Sequence, residues 1–393
     1  MIITSIDTIR VQVPCTDDEL RAGKYGEVGF VRVQTNENLT GWGVGEVRDT
    51  LLDSLVRPML LGNDPFRIGE YVAHGLGRAA SVEHALWDLL GKATNQPIYR
   101  LLGGSFRQEI QMYATVCWPA VQKTPIQQEL EDVIKYVENG YRAIKLQIWD
   151  DNPFERIEMF QHLRDHLGGP DKVRFMFDRT ASCSGSLWDI EKALEIARCL
   201  YFLQAEWLEE PLEHGDVDGY ARLTKSVDLP ITAGERDFGL EPFIRYGTHK
   251  SLDIWQPDAF LSGGIMTVHR VAAIAEGFRV PLIMHGANHL LLAPVIQLAA
   301  SIKSCKMLEV AVITPPFRPE EQWEPLLQLM NTPHLFEIHG DMIKIPTLPG
   351  LGLDLNEDAI MEYRVPAGTP RQADPHEVVR PIFFPDDYVR RGF

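Results

Sequence analysis

The sequence predicts an α/β protein in two parts, an N-terminal α+β unit followed by a TIM-type barrel. Three observations predict it. The first hundred residues place alternating strands ahead of helices. Beyond Glu109, short apolar runs alternate with amphipathic stretches, the pattern of repeated βα units, and each run closes on or near a polar residue. Marked at Lys145, Asp178, Glu209, Glu235, Asp258, His285 and Glu309, the repeats are 33, 31, 26, 23, 27 and 24 residues apart. Each interval is close to one βαβ step of about 30 residues. Core packing does not explain polar strand ends, whereas a parallel barrel gathers its working residues at that face.

In chain order, Ile3 to Val13 and Gly29 to Val33 alternate as strands do, and Gly41-Trp-Gly-Val-Gly45 reads as a turn. The first strong helix is Ser81 to Thr94, with Val82, Ala85, Leu86 and Leu89 on one stripe and Ser81 as N-cap. His84 stands where a capping box needs an acid or amide. Pro97 and Leu101-Leu-Gly-Gly104 then mark a boundary, and three units are expected: a cap at 1–108, a barrel at 109–331 and a segment at 332–393 packing back on the cap. Within the barrel, Thr124-Pro125 reads as the start of a helix whose buried stripe is Ile126, Leu130, Val133, Ile134 and Val137. Asn139-Gly140 stops it. The next strand, Tyr141 to about Ile148, puts Tyr141, Ala143, Lys145 and Gln147 on one face.

The 393 residues are 45% apolar and 24% charged, enough for a large core without disulfide or metal staples. A net charge of −17 argues against nucleic acid or anionic membrane as partners. Five scattered cysteines without a C-x-x-C pair make a poor disulfide framework and favour a reducing compartment. No apolar run is long enough to span a bilayer. The start lacks the basic and apolar regions of a secretory signal, so a cytoplasmic location is expected.

One acid at a strand end is an ordinary solvated loop residue. Asp178, Glu209 and Glu235 close three successive strands, and three carboxylates facing one barrel mouth cannot all stay ionised without a cation. Oxygen donors with no Cys or His among them favour Mg²⁺ over Zn²⁺. His285 and Asp258 end neighbouring strands, which places a carboxylate beside an imidazole, where it fixes the tautomer and raises basicity. Two weaker motifs are set aside. Gly75-Leu-Gly77-Arg-Ala-Ala80 has no strand before it for a dinucleotide site, and His285 with His289 lacks the Glu of a zinc hydrolase helix.

These residues carry a resemblance. Ala85-Leu-Trp-Asp-Leu-Leu-Gly-Lys92, Lys145-Leu-Gln147, Asp178, Trp207-Leu-Glu-Glu-Pro211, Ala233-Gly-Glu235, Gln256-Pro-Asp258, Gly263-Gly264, His285-Gly286, Leu308-Glu309 and Pro349-Gly-Leu-Gly352 follow in the order seen in the enolase superfamily. The chain resembles its mandelate racemase and muconate lactonizing branch. The resemblance implies an α+β capping domain on a modified (β/α)7β barrel, with Mg²⁺ held by Asp178, Glu209 and Glu235. Glu210 is expected to face away from the ligand set. As is known of the superfamily in general, a Lys or His base removes the proton α to a carboxylate and Mg²⁺ stabilises the enediolate.

The resemblance further implies His285 as base with Asp258 behind it, Lys145 as positive charge near the substrate carboxylate, and Glu309 as the last-strand acid that hydrogen-bonds that carboxylate. One departure matters. Members with a base on both faces carry Lys-x-Lys, and here the second lysine is Gln147, an amide that cannot take a proton. The expected activity is therefore a Mg²⁺-dependent lyase, dehydrating an aldonate or aldarate to a 2-keto-3-deoxy acid. A racemase or epimerase with its second base elsewhere, and a non-catalytic descendant that keeps the fold, remain alternatives. The expected partners are a small sugar acid and further copies of the chain in a homo-oligomer. Substrate choice is expected to rest on Thr16 to Glu27 and Arg48 to Asp53.

Overall fold

A computed structural model describes residues 1–116, 125–150, 152–181, 186–312, 316–366 and 369–370. Alternation in the first strands builds an antiparallel sheet of β1 (Ile3–Gln12), β2 (Glu27–Thr35) and β3 (Thr40–Val44). One face of it receives helix α1 (Ala80–Thr94). The helix lies so close that a Cβ on Gly43 would sit 1.8 Å from the Ser81 carbonyl oxygen, so glycine is the residue that permits the contact. Ser81 is consequently not the N-cap. The helix starts one residue earlier, at Ala80, with no side-chain cap, and Ser81 is buried against the sheet.

The second sheet is parallel through β4 (Glu109–Val116), β5 (Ala143–Gln147), β6 (Arg174–Asp178), β7 (Leu208–Glu209), β8 (Ile231–Ala233) and β9 (Ile254–Trp255). It returns through β10 (Met307–Ala311), which pairs parallel with β4 and closes the ring. Between β9 and β10 the chain contributes isolated bridges, Trp255 to Leu282 and Ala287 to Val310, rather than a regular strand. Helices α2 (Ile126–Glu138), α3 (Pro153–Leu167), α4 (Ile190–Phe202), α5 (Val217–Ser226), α6 (Glu241–His249), α7 (Gly264–Phe278) and α8 (Leu292–Ser301) fill the intervals. That is the (β/α)7β barrel with an α+β cap.

Pro125 directly precedes α2; Thr124, expected as its cap, lies outside the described residues. A hairpin of β11 (Ile338–His339) and β12 (Met342–Lys344) extends the barrel sheet antiparallel to β4. Farther on, the chain runs beside β1, with Gln12 N–H bonded to the Tyr363 carbonyl at 3.0 Å. The stretch beyond 331 thus touches barrel and cap in turn. No helix among the described residues is long and apolar enough to cross a membrane. The described cysteines Cys15, Cys199 and Cys305 are unpaired thiols.

Candidate active site

Strand alternation builds the site as two layers inside the barrel. Tyr113, Ala143, Met176, Trp207, Ile283 and Met307 form an apolar cluster separate from the main core. Two residues along from each stand Thr115, Lys145, Asp178, Glu209, His285 and Glu309. Side chains repeat every second residue in an extended chain, so an apolar plug fills the barrel and a polar layer lies on it toward the C-terminal mouth.

Lys145 is the centre of that layer. Its ammonium lies 2.9 and 3.0 Å from the two Glu209 oxygens, 2.8 Å from Glu309 and 3.3 Å from Asp178. Enclosure alone would lower its pKa, but Glu209, Glu309 and Asp178 hold it well above the usual lysine value. Glu309 also accepts from the Tyr113 hydroxyl at 3.1 Å, the Thr115 hydroxyl and the Gly286 N–H at 3.0 Å. Burial opposes its charge, yet Lys145 and His285 outweigh burial and bring it to about 2. An ionised carboxylate so placed only accepts hydrogen bonds.

Glu209 is further bonded by the Trp207 indole N–H at 3.2 Å and the Gln256 amide at 3.1 Å. Burial raises it to about 8 against the pull of Lys145, with Asp178, Glu309 and Glu235 adding like charge. Asp178 accepts from the Thr180 N–H at 2.7 Å, the Thr180 hydroxyl at 2.6 Å and the Gln147 amide at 3.1 Å. Gln147 is thus a donor to an acid rather than a base.

His285 lies between two carboxylates, Nδ1 2.7 Å from Asp258 and Nε2 3.1 Å from Glu235. Its side chain is 17% exposed, the most accessible of the set. Enclosure pulls its pKa down, but Glu235 and Asp258 override it and carry it to about 10. Glu235 also meets Arg236 Nε at 3.2 Å. It follows Gly234, whose φ of +128° turns the chain out of β8. A Cβ there would be both strained and 2.9 Å from the Phe243 ring.

Glu210, which alternation turns away from Glu209, follows a β7 only two residues long and itself sits at φ +44°. Its carboxyl is buried, and burial and then the charge of Glu235 push its pKa well above the usual value.

Among the described residues no three His, Cys, Asp or Glu side chains converge closely enough to hold an ion as they stand. Lys145 and His285 occupy the places between the carboxylates. The donor set nonetheless fits a hard dication. Asp178, Glu209 and Glu235 are oxygen donors at most 2% exposed, and burial with the neighbouring acids pushes Glu209 up to about 8 even beside Lys145, a cost that further positive charge would relieve.

A stability prediction follows from Lys145. Removing one partner of a buried ion pair costs about 3–5 kcal/mol, so Lys145→Met should be strongly destabilised without added metal. Loss of the ammonium removes the group that most holds Glu309 low, so its folded-state pKa rises from about 2, while Glu209, already raised to about 8, rises further. An acid held low contributes stability that is present above its unfolded pKa and lost as pH falls through its folded one, and the variant forfeits that contribution. The Tm deficit of Lys145→Met against the native protein should therefore widen from about pH 3 to about pH 5. A deficit that does not change with pH would show that the ammonium is not neutralising these acids.

Tyr113, Thr115, Thr180 and Arg236 carry no sequence motif, and Gln256 stands in one, Gln256-Pro-Asp258, without a role of its own. Tyr113 and Thr115 were legible in principle, since β4 alternates as its neighbours do. Gln256 and Thr180 lie two residues from Asp258 and Asp178, which is a weaker signal.

A parallel barrel under an N-terminal α+β cap is the architecture of enolase-superfamily structures. Residues 128–359 match the family described as Enolase C-terminal domain-like, and residues 22–103 match the Mandelate racemase / muconate lactonizing enzyme, N-terminal domain. The chain belongs to the mandelate racemase / muconate lactonizing enzyme branch of that superfamily. It is 25% identical over 359 residues to an arabinonate dehydratase of Saccharolobus solfataricus, covering 86% of this chain and 91% of the relative. It is 28% identical over 365 residues to a D-galactonate dehydratase of Variovorax paradoxus, covering 84% and 90%. A solved enolase-superfamily structure from Polaromonas sp. JS666 superposes with a TM-score of 0.75 at 28% identity, covering 94% of this chain and 99% of that one.

Proposed function

We propose that this protein is a Mg²⁺-dependent hydro-lyase that dehydrates a sugar acid, an aldonate or aldarate, to a 2-keto-3-deoxy acid. The observation that carries the reading is His285, the one imidazole among the described residues that faces the carboxylate cluster, while Gln147 stands where a second base would be. The relatives named as arabinonate and galactonate dehydratases support the sugar-acid class. Asp178, Glu209 and Glu235 would hold the metal. When bound, Mg²⁺ would supply positive charge for the substrate carboxylate and relieve His285 of the full charge of Glu235.

The chain's own residues would do the rest. Lys145 adds charge near the carboxylate, held in place by Glu309, which as an ionised acceptor reaches the substrate through that ammonium. Asp258 fixes the imidazole with Nδ1–H as donor and leaves Nε2 to take the α-proton. The electron pair released from the Cα–H bond forms the enediolate. Its collapse expels the β-hydroxyl, to which the imidazolium returns the proton, so water leaves and an enol remains that tautomerises to the 2-keto acid.

Incubation with Mg²⁺ and a panel of aldonic and aldaric acids, assayed for 2-keto products, tests this reading. A 2-keto-3-deoxy product from at least one member of the panel is the expected result. Interconversion of C2 epimers without a keto product would replace the dehydratase by an epimerase.

A further inference from the structure

Asp258 lies three residues beyond the end of β9, so strand alternation does not aim its carboxylate. The following loop does. The Phe260 and Leu261 N–H groups both donate to Asp258 Oδ1 at 2.6 Å, leaving Oδ2 for His285. This loop runs into α7, whose N-cap is Gly263, a residue with no side chain to satisfy the first helical amides. The cap domain supplies what is missing. Glu83 on α1 accepts from the Ile265 N–H at 2.9 Å and the Met266 N–H at 2.8 Å, and from the Trp87 indole at 2.8 Å.

One residue on, His84 Nε2 lies 3.0 Å from the Ala259 carbonyl oxygen, and its ring meets Phe260 edge-on at 4.8 Å. A carbonyl only accepts, so Nε2 carries the proton. Burial lowers the His84 pKa to about 4, which keeps the ring neutral. Glu83 and His84 are both fully buried. The two amides that orient Asp258 thus lie between two staples, one at Ala259 and one at Ile265 and Met266, both set by adjacent residues of the cap helix. An acid and an imidazole are costly groups to bury for helix docking alone, because apolar side chains would do that without desolvating polar atoms.

We propose that Glu83 and His84 are positioning residues for the Asp258–His285 pair, so that docking of the cap on the barrel aligns the base. The proposal rests on the reading of that pair as the catalytic base.

The test uses His84→Leu, which removes the donor, His84→Gln, which returns an N–H near the Nε2 position, and Glu83→Gln. Each is measured for kcat and KM on a sugar acid the native enzyme dehydrates, and for Mg²⁺ affinity by titration. A displacement of about 1 Å at a reacting group costs about 100-fold. His84→Leu should accordingly lose roughly 10- to 100-fold in kcat, with KM and Mg²⁺ affinity changed less than about twofold, and His84→Gln should recover most of it.

A readout independent of turnover is the downfield proton resonance of His285 Nδ1–H, assigned by its loss in His285→Asn. It should shift or broaden in His84→Leu and return in His84→Gln. If His84→Leu does not fold, Glu83→Gln is read by the same measurements, with the same direction of change. Asp258→Asn separates the two readings. If that variant keeps full turnover, the base assignment itself fails. If it is inactive while His84→Leu or Glu83→Gln leaves both kcat and the resonance unchanged, the positioning proposal alone is overturned.

Discussion

Replacing His285 by Asn should abolish dehydration and α-proton exchange together, with a loss of about 100- to 10,000-fold, the range of a general acid–base group. Asn keeps a hydrogen-bonding side chain of similar reach but has no basic nitrogen. The fold should survive, because the side chain is partly exposed and Asp258 keeps its two backbone amide donors. The native enzyme in D₂O should act on one C2 configuration of its substrate and leave the C2 epimer unexchanged. Nε2 of His285 offers a base on one face, and the Gln147 amide donates to Asp178. Exchange from both faces, or exchange surviving in His285→Asn, would identify another base and favour an epimerase.

The second large effect is expected at the carboxylates. Glu235→Gln should remove Mg²⁺ affinity and turnover while circular dichroism stays native. Its hydrogen-bonding partners are His285 and Arg236, so losing the charge disturbs little packing. Glu209→Gln is a harsher change. Glu209 receives Lys145, Trp207 and Gln256, and an amide there would turn donors toward donors or leave the ammonium with less compensation. It should lose metal affinity and stability together. Full activity of Glu235→Gln, or of the native enzyme in excess chelator, would contradict a metal held by these acids.

Much of the architecture was legible because strand period and loop chemistry are local. The spacing of Lys145, Asp178, Glu209 and Glu309 along successive repeats anticipated one polar layer. β5, β6, β7 and β10 carry these residues on the same face as the apolar plug of Ala143, Met176, Trp207 and Met307. The reading was weaker where strands are short. β7 and β8 have two and three residues, and beyond them the chain turns, so alternation carries no further than Glu209 and Ala233. Ser81 looked like a cap because its neighbours satisfy the helix pattern, but the sheet buries it.

What the sequence by itself determined is the order of elements and which chemistry-bearing side chains share the barrel mouth, since both follow from a two-residue period and a repeated βα step. Only the tertiary structure decided how charge is shared there: that Lys145 sits among Glu209, Glu309 and Asp178, that Gln147 serves Asp178, and that Glu235 reaches His285. It also decided that Glu83 and His84 of the cap hold the loop behind Asp258. These contacts join residues up to 183 positions apart, and closing the barrel under its cap is what brings such distant groups within hydrogen-bond reach, where burial turns small separations into large shifts in charge state.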